Sequence, residues 1–435
     1  MKKNAEKPRI IHDLSWPPGQ SINDFISAQD STLTYVTVDY AANLTCLYKQ
    51  PWLVKIDLKS AFLSCPVLPQ DSHFLGFTWP NADGVNLAYK FKVLPFGLKT
   101  SPRAFDCLSS ALQYIMINRG ASPSLIHYLD DFLGVAGSET DALSTLNIML
   151  DTCRAAGFQV QSKKTLGPAR SIEFLGVTVD TVENQLRIPE YRMREISELV
   201  REWIDIKVCT KRQLLSLIGK LSFSARVVRA GQKFIRRLIL LSKKAQNLHQ
   251  KITLTSEAKM DLRWWCRCLE SHNGISWLDD IREYSEPQYM YTDASDLAAG
   301  AIFGTSWTIR EFSGEHSWMA TLPIVWRELY AVVLCVAVFG HSMRSSFIKM
   351  YTDNMAAYHC INTGTSKDKD LMALLRALYF YTTIHDIYYR AYYLGTLDNA
   401  VADSLSRLDL PRFRKLCPQS DLLMTSPCDA IVDFS

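Results

Sequence analysis

Two adjacent aspartates inside an apolar stretch constrain the fold of this 435-residue chain more than any other feature of its sequence. Asp130 and Asp131 stand in the middle of S-L-I-H-Y-L-D-D-F-L-G-V, where apolar residues flank both carboxylates. The pattern predicts a β-hairpin whose strands are the apolar flanks and whose turn carries the acidic pair. An isolated Asp-Asp pair is most often an ordinary turn, so its meaning depends on a partner elsewhere in the chain.

A second acidic motif lies about seventy residues upstream, where L-V-K-I-D-L-K-S-A-F predicts a strand that ends at Asp57 and is followed by a helix. Carboxylates at the ends of two neighbouring strands can hold a pair of magnesium ions roughly 3.5–4 Å apart, as phosphoryl-transfer enzymes do. Together the two motifs favour phosphoryl transfer over an ordinary turn.

The two acidic motifs and the intervening L-P-F-G-L-K-T-S-P at residues 94–102 resemble, in this order, the palm motifs of reverse transcriptases. The resemblance covers the chain from about residue 7 to about residue 245. It implies that Asp57, Asp130 and Asp131 hold two Mg²⁺ ions per active site, with Mn²⁺ as a substitute. It also implies DNA synthesis from dNTPs on RNA and DNA primer–templates.

The same resemblance assigns five residues to the incoming nucleotide. Arg9 would meet its triphosphate, and Lys164 would protonate the departing pyrophosphate. Phe62 matches the steric gate that excludes a 2′-hydroxyl, although a core phenylalanine is the alternative. Gly97 would let the backbone approach the nascent base pair, because glycine has no Cβ. Phe96 stands where retroviral members have glutamine, as in gypsy-type and DIRS-type retroelements, which puts their glutamine-based contacts in doubt here.

Nucleic-acid contacts are expected at Tyr128 and at Phe174, Leu175 and Gly176, which resemble the start of the primer-gripping hairpin. A basic block follows at Arg187–Lys244, with fifteen Lys and Arg against five Asp and Glu, whereas the whole chain carries only +4. Beside a polymerase-like palm, this charge predicts a surface for the duplex backbone, with a solvated helix face as the alternative. The candidate contacts in the block are Arg226, Arg229, Arg236 and Arg237.

Four acidic residues in the C-terminal part resemble the ribonuclease H family in their order on strand, helix, strand and helix. They are Asp293, Glu328, Asp353 and Asp403. Carboxylates that converge repel one another unless cations neutralise them, which indicates bound metal. The resemblance implies hydrolysis of the RNA strand of an RNA–DNA hybrid. Tyr393 stands where many members have a loop histidine, which implies slower turnover.

The expected fold is an α+β right-hand polymerase with fingers, palm and helical thumb, followed by an α/β ribonuclease H-like domain. Apolar residues recur at helical spacing after Pro189, which predicts the thumb. The expected segments are residues 1–185 for fingers and palm, 186–250 for the thumb, 251–287 for a connection, 288–410 for the ribonuclease H-like domain and 411–435 for a tail without a recognisable motif.

The amino-acid composition indicates the class of protein and the compartment in which it is expected. Hydrophobic residues make up 48% and charged residues 21% of the chain, which is typical of a globular protein. No apolar run reaches the roughly 18 residues that cross a bilayer, and the polar first residues do not form a secretion signal. The eleven cysteines are scattered and odd in number, so we expect a reducing intracellular setting without disulfides. No membrane partner is expected, whereas other retroelement proteins are possible partners.

Two functions compete. The first is a retroelement enzyme that copies RNA and DNA into DNA and cleaves the RNA strand of hybrids. The second is an inactive or co-opted remnant that only binds nucleic acid. All seven carboxylates are present, which favours the enzyme, whereas the short fingers region favours the remnant.

Overall fold

The computed structural model describes residues 11–272, 275–277, 287–395, 397–427 and 431, except for the side chains of residues 229 and 275–277. The chain forms two compact units, Met1–Asn184 and Gln185–Ser435. The finer segment boundaries drawn from the sequence stay predictions. No helix within the described ranges is both long and apolar enough to cross a bilayer.

The first unit alternates strands with helices. Its helices are α1 (Ala28–Ser31), α2 (Val38–Thr45), α3 (Ser101–Asn118) and α4 (Glu139–Ala155). Its strands are β1 (Trp52–Asp57), β2 (Gly76–Pro80), β3 (Asn86–Lys90), β4 (Ser124–Tyr128), β5 (Asp131–Ala136), β6 (Leu166–Ala169), β7 (Ser171–Phe174) and β8 (Val177–Asp180).

A four-stranded antiparallel sheet of order β4-β5-β1-β6 carries the predicted acidic motifs. Because side chains alternate between the faces of a strand, Val54 and Ile56 of β1 point to one face and Asp57 to the other. Helices α3 and α4 cover the first face and form a buried core with it. Core members are Val54, Ile56, Phe105, Leu112, Met116, Phe132 and Met149. The acidic face therefore lies on a rigid sheet that the helices support.

The second unit begins with helices and short strand pairs. In chain order they are β9 (Gln185–Arg187), α5 (Glu190–Asp205), β10 (Val208–Thr210), α6 (Lys211–Ser224), α7 (Arg236–Lys243), β11 (Lys251–Thr253), α8 (Ser256–His272) and β12 (Ile275–Trp277). Strand β9 pairs with β12, and β10 pairs with β11. The helix predicted after Pro189 is α5, and it packs against α8.

A mixed five-stranded sheet with helices on both faces completes the second unit. Its strands are β13 (Gln288–Ala294), β14 (Ala298–Phe303), β15 (Ser306–Glu311), β16 (Phe347–Thr352) and β17 (Tyr388–Tyr393). Its helices are α9 (Ile324–Phe339), α10 (Met355–Thr363), α11 (Lys369–Ile384), α12 (Ala400–Ser406) and α13 (Leu410–Leu416). The strand order is β15-β14-β13-β16-β17, in which β13, β16 and β17 are parallel. With the sheet of the first unit, this topology confirms the predicted fold class.

Residues beyond 410 have a place that the sequence did not predict. Phe413 of α13 is fully buried, and its ring lies 5.0 Å from that of Trp307 on β15. Further along, the backbone N–H groups of Asp421 and Thr425 donate to the carbonyl oxygens of Thr305 and Trp307. This part of the expected tail therefore packs on the sheet.

A buried ion pair joins the helices of the second unit. Asp261 of α8 is fully buried and accepts hydrogen bonds from Arg237 of α7 and from Arg376 of α11. The neighbouring Trp264 donates its indole N–H to the Arg376 carbonyl oxygen at 3.1 Å. These contacts tie the predicted thumb, connection and ribonuclease H-like segments into one compact unit.

Candidate active sites

The first candidate site is formed by the ends of β1 and β5. Asp57 lies directly opposite Asp131 in the antiparallel register, so their side chains leave the sheet side by side. Leu129, with a φ of 52°, and Asp130 form the tight turn between β4 and β5. The backbone N–H of Leu58 donates to the Asp130 carbonyl oxygen at 2.9 Å and fixes this turn beside β1. The structure therefore brings the two predicted acidic motifs together.

Two lysines offset the repulsion between these carboxylates. The Lys164 Nζ donates to Asp57 Oδ2 at 2.7 Å, and the Lys55 Nζ lies 3.4 Å from Asp131 Oδ1. Burial raises the pKa of Asp131 to about 6, against the opposing effect of Lys55, and the nearby Asp57 and Asp130 raise it further. The hydrogen bond to Asp57 in turn raises the pKa of Lys164, so this ammonium group stays charged.

The oxygen donors of this site fit Mg²⁺ or Mn²⁺. Asp57 is 4% exposed, and the buried Oδ1 of Asp131 accepts no hydrogen bond from the described residues. Carboxylate oxygens without further nitrogen or sulfur ligands are typical of hard divalent cations. Lys164 occupies one Asp57 oxygen here, so we expect this ammonium group to move when a cation binds.

Phe62 lies next to the Pro95–Pro102 loop. It belongs to a short 3-10 helix at Ala61–Ser64, and its half-buried ring packs edge-on against Phe96 and Phe105, with centroid separations of 5.3 Å for each pair. The contact with Phe105 joins it to the core under the sheet. The ring therefore has a packing role, which was the alternative from the sequence, and the steric gate stays a prediction.

Gly97 has a different structural reason from the predicted approach to a base pair. Its φ is 105°, and a Cβ at this position would collide with the carbonyl oxygen of His12. The His12 N–H donates to the Phe96 carbonyl oxygen at 2.9 Å, and the Asn23 side chain donates to the Gly97 carbonyl oxygen at 2.8 Å. The contact with the His12 backbone therefore requires glycine within the chain itself, and the approach to a base pair stays a prediction.

The predicted nucleic-acid contacts of the first unit are only partly accessible. Tyr128 is half-buried, and its ring lies 5.0 Å from that of Tyr35. Phe174 is fully buried below Lys55, so its predicted contact with a primer is wrong. Leu175 and Gly176 form the β7–β8 turn, with positive φ values of 49° and 79°. The buried phenylalanine anchors this turn, and the turn itself is the accessible part.

The four arginines of the basic block differ in their surroundings. Arg226 and Arg236 are exposed. Arg237 instead donates two hydrogen bonds to the buried Asp261, at 2.7 and 2.8 Å. The predicted contact of Arg237 with a duplex backbone is therefore replaced by an internal ion pair. The side chain of Arg229 and the whole of Arg9 lie outside the described residues. The charge pattern of the sequence could not distinguish Arg237 from the other arginines of the block, because its partner is 24 residues away on another helix.

The second candidate site is a carboxylate trio in the second unit. Asp293 is near the end of β13, Glu328 is on α9, and Asp353 follows β16. One oxygen from each residue lies within 4.8 Å of the others. Strands β13 and β16 are parallel neighbours, so their two aspartates come to the same sheet edge, and the first turns of α9 bring the glutamate to them. The structure therefore assembles three of the four predicted acids.

Burial and mutual repulsion hold protons on two members of the trio, Asp293 and Glu328. Burial raises the pKa of Glu328 to about 9, and the neighbouring Asp293 and Asp353 raise it further. Burial likewise raises the pKa of Asp293 to about 7, against a hydrogen bond donated by the Ser406 hydroxyl. A divalent cation would favour the ionised carboxylates, so the all-oxygen donor set fits Mg²⁺ or Mn²⁺.

Asp403, the fourth predicted acid, is held by two arginines. Its carboxylate accepts from Arg407 Nε at 2.6 Å and from an Arg412 NH group at 2.7 Å. Burial acts to raise the pKa of Asp403, but the hydrogen bonds from the arginines outweigh it and leave the pKa lowered. Tyr393, at the end of β17, is 48% exposed. Sequence reasoning missed both arginines and Ser406, although the motif A-D-S-L-S-R contains two of these three residues.

Comparison with known proteins gives matches to reverse transcriptases. Residues 9–179 match the family described as reverse transcriptase (RNA-dependent DNA polymerase). The Gag-Pol polyprotein of Avian reticuloendotheliosis virus is 32% identical over 130 residues, which are 29% of this chain and 11% of that protein. The Transposon Tf2-3 polyprotein of Schizosaccharomyces pombe is 21% identical over 375 residues, which are 81% of this chain and 25% of that protein.

The Enzymatic polyprotein of Cestrum yellow leaf curling virus is 26% identical over 215 residues, which are 49% of this chain and 30% of that protein. The chain thus spans less than a third of the length of each of these relatives. Among solved structures, a foamy viral protease-reverse transcriptase in complex with RNA/DNA hybrid is 18% identical, with a TM-score of 0.44, and the match covers 82% of this chain and 46% of the other.

The raised pKa values predict a pH-dependent effect of Mg²⁺ on stability. The folded chain holds protons on Asp293 and Glu328 up to about pH 7 and about pH 9, whereas the ordinary pKa values are 3.8 and 4.5. Without divalent cations, the free energy of unfolding should therefore fall as the pH rises from about 5 to about 9. Because Mg²⁺ must displace these protons, the rise in Tm that it causes should grow over the same interval.

Thermal unfolding in EDTA and in millimolar Mg²⁺ across this pH range measures the effect. Glu328→Gln is the matched control, since it removes the group with the largest shift and should flatten much of the pH dependence. An Mg²⁺-induced change in Tm that is the same at every pH would contradict the assignment of the trio as a cation site.

Proposed function

We propose that this chain synthesises DNA on RNA and DNA templates and hydrolyses the RNA strand of the resulting hybrid. The match of residues 9–179 to the reverse transcriptase family and the similarity to a transposon polyprotein support the first activity. The single observation that carries the first activity is the register that places Asp57 opposite Asp131 at the end of a buried sheet. The carboxylate trio carries the second activity. The assignment to a DIRS-type or gypsy-type element stays a prediction from the sequence motifs.

In the first unit, Asp57, Asp130 and Asp131 would hold two Mg²⁺ ions, which would activate the primer 3′-hydroxyl and stabilise the departing pyrophosphate. The sheet holds Asp57 and Asp131 side by side without further movement of the backbone. Lys164 stays protonated beside them. In our proposal this lysine leaves Asp57 and donates its proton to pyrophosphate.

In the second unit, Asp293, Glu328 and Asp353 would hold the cations for hydrolysis, with water as the nucleophile. Ser406 and Thr352 orient two of these carboxylates through hydrogen bonds to Asp293 and Glu328. Arg407 and Arg412 keep Asp403 ionised at the rim of the same site. In our proposal Asp403 exchanges these arginines for a cation when a hybrid binds.

The two-site proposal predicts that the activities can be separated. Asp57→Asn or Asp130→Asn should lower primer extension by at least about a hundredfold, while hybrid cleavage persists, because each site has its own carboxylates. Asp353→Asn should have the opposite effect. Primer extension on poly-rA/oligo-dT and cleavage of a labelled RNA strand in a hybrid measure both activities.

Asp370→Asn is the matched control, because its exposed carboxylate lies on α11, outside both candidate sites. It should leave both rates unchanged. Loss of both activities from Asp57→Asn, in a protein with an unchanged Tm, would refute the division into two sites. Retention of cleavage by Asp353→Asn would refute the hydrolase, and inactivity of the parent chain in both assays would favour the nucleic-acid-binding remnant.

The steric-gate proposal concerns Phe62. Phe62→Val should raise the use of ribonucleotides relative to deoxynucleotides, because a smaller side chain leaves room for the 2′-hydroxyl. The ratio of kcat/KM for dNTP and rNTP incorporation measures it. Phe62→Tyr, which retains the ring, should keep the parent selectivity. An unchanged ratio in Phe62→Val would leave this residue with its packing role against Phe96 and Phe105.

The exposed arginines of the basic block should contribute to duplex binding. The double variant Arg226→Gln/Arg236→Gln should reduce the slope of log K against log salt by about 0.9 for each lost phosphate contact. Arg237→Gln, whose parent side chain is paired with Asp261, should lower the Tm and leave the slope unchanged. Binding titrations of a primer–template over a salt series give the slopes. If the double variant has the same salt slope as the parent chain, neither arginine contacts the duplex backbone, and both side chains face solvent.

A further inference from the structure

The two faces of the sheet in the second unit differ in character. On one face, Met290, Ile348, Met350 and Ala391 are buried. Phe303 shares this face with Met290 through the β13–β14 register, and its ring contacts Phe339 of α9. Helix α12 packs on β13 and β14 and covers that part of the other face, which leaves β16 and β17 more open.

The open face carries tyrosines and cations in register. Tyr289 pairs with Lys349 and Lys349 with Arg390, and in the next row Tyr291 pairs with Tyr351 and Tyr351 with Tyr392. We call these six residues the tyrosine platform. Because side chains alternate along a strand, all six point to one face. The platform consists of Tyr289, Tyr291, Lys349, Tyr351, Arg390 and Tyr392.

The rings of the platform are close together, with Tyr289 exposed and the other three tyrosines half-buried. The ring of Tyr351 is stacked at 5.0 Å on Tyr291, and it lies 5.6 Å from Tyr392. Tyr289 is 44% exposed, and Arg390 is exposed. The Lys349 ammonium group lies 5.7 Å from the Tyr289 ring and 5.5 Å from the Tyr392 ring. Flat π-faces with interleaved positive charges are the two features that a single-stranded nucleic acid needs for its bases and its phosphates.

The platform is continuous with the carboxylate trio. Asp293 comes two residues after Tyr291 on β13, and therefore on the same face, and Asp353 directly follows the end of β16, two residues after Tyr351. Because a strand rises about 3.3 Å per residue, two residues along β13 span roughly 7 Å, which separates the Tyr291 row from Asp293. A strand of nucleic acid that reaches the trio would thus have the tyrosines within about one nucleotide.

A cleft on the other side of Tyr291 extends this surface. It has a volume of about 740 Å³ and lies between the sheet and α12, with Tyr289, Tyr291, Ile302 and Asn399 among its lining residues. Asn399 is 1% exposed, and its Oδ1 accepts no hydrogen bond from the described residues. An amide oxygen in this state can accept from the exocyclic amino group of a base.

We propose that the tyrosine platform binds a single-stranded extension of the nucleic acid that occupies the trio. The bases would stack on the tyrosines, and the phosphates would contact Lys349 and Arg390. This inference rests on the proposed hydrolase function of the second unit, and it adds a substrate preference, namely hybrids with an unpaired end over blunt hybrids. Cross-strand packing of the tyrosines is the alternative that the experiment must exclude.

Binding of the full chain to fluorescent hybrids tests the proposal. The hybrids share one duplex and are either blunt or extended by about six unpaired nucleotides, which is within the range of ~4–16 per binding site. The extension is placed on the RNA strand or on the DNA strand, at either end of the duplex, which gives four extended hybrids. Comparison of their affinities identifies the strand and the end that the platform binds. EDTA prevents cleavage, so that binding is measured separately from catalysis.

We expect at least one extended hybrid to bind the parent chain roughly fivefold or more tightly than the blunt hybrid, since stacking of one base gives a gain of this order. Tyr351→Leu should lose this preference, and Tyr351→Phe should retain it because the ring remains. Lys349→Gln/Arg390→Gln should weaken the preference without removing a ring. Lys367→Gln, at an exposed position away from the platform, should bind like the parent.

An equal preference in the parent and in Tyr351→Leu, at matched Tm, would overturn the platform and return the tyrosines to sheet packing. So would a parent chain that binds extended and blunt hybrids equally. If Tyr351→Leu fails to fold, the Lys349→Gln/Arg390→Gln variant decides by the same criterion. A parent chain that prefers extended hybrids but does not cleave them in Mg²⁺ would refute the hydrolase and leave the binding platform standing.

Discussion

Mutual repulsion of carboxylates at strand ends is the constraint that both units must satisfy. Register forces Asp57 and Asp131 together in the first unit, and the parallel pairing of β13 and β16 brings Asp293 and Asp353 together in the second. Like charges that face each other across a sheet are destabilising. The folds retain these positions because cations or protons compensate the charge, and the two units do so differently.

The first unit uses its own ammonium groups, whereas the second uses protons. Lys164 and Lys55 neutralise the palm carboxylates in the absence of metal. Burial, together with the charges of Asp293 and Asp353, keeps a proton on Glu328 in the trio, and among the described residues no lysine forms an ion pair with it. The arginines near that site are engaged with Asp403. Cation binding therefore has to displace an internal ammonium group in one site and release protons in the other, which gives the two sites different dependences on pH.

The spacing of apolar residues was sufficient to predict secondary-structure elements, which depend on residues close together in the sequence. The hairpin around Asp130 follows from apolar flanks, and α5 follows from residues at helical spacing. The convergence of Asp293 with Glu328 and Asp353 came from a family template, and the structure agrees with it.

What the sequence did not disclose depends on partners that are distant along the chain. Arg237 reads as one of several basic residues until Asp261 appears beside it. Phe174 occurs in a motif that indicates a primer contact, yet the sheet above it buries the ring. Arg407 lies four residues after Asp403, a helical spacing that the sequence could have disclosed. Arg412, by contrast, lies on the next helix and has no such spacing. Such pairings are set by how helices and strands pack, and a single sequence carries no local record of them.

The collision that a side chain at position 97 would make with the carbonyl group of His12 separates two kinds of evolutionary pressure. In a lineage that no longer copies nucleic acid, the aspartates of the candidate sites would be free to change, because their mutual repulsion destabilises the fold. Gly97 would persist for as long as the chain folds, since its constraint comes from internal backbone contact. Retention of this glycine therefore reports that the fold is preserved, whereas retention of the aspartates reports that the proposed activities are preserved. A relative that has Gly97 but lacks the aspartates would therefore retain the fold without the proposed activities.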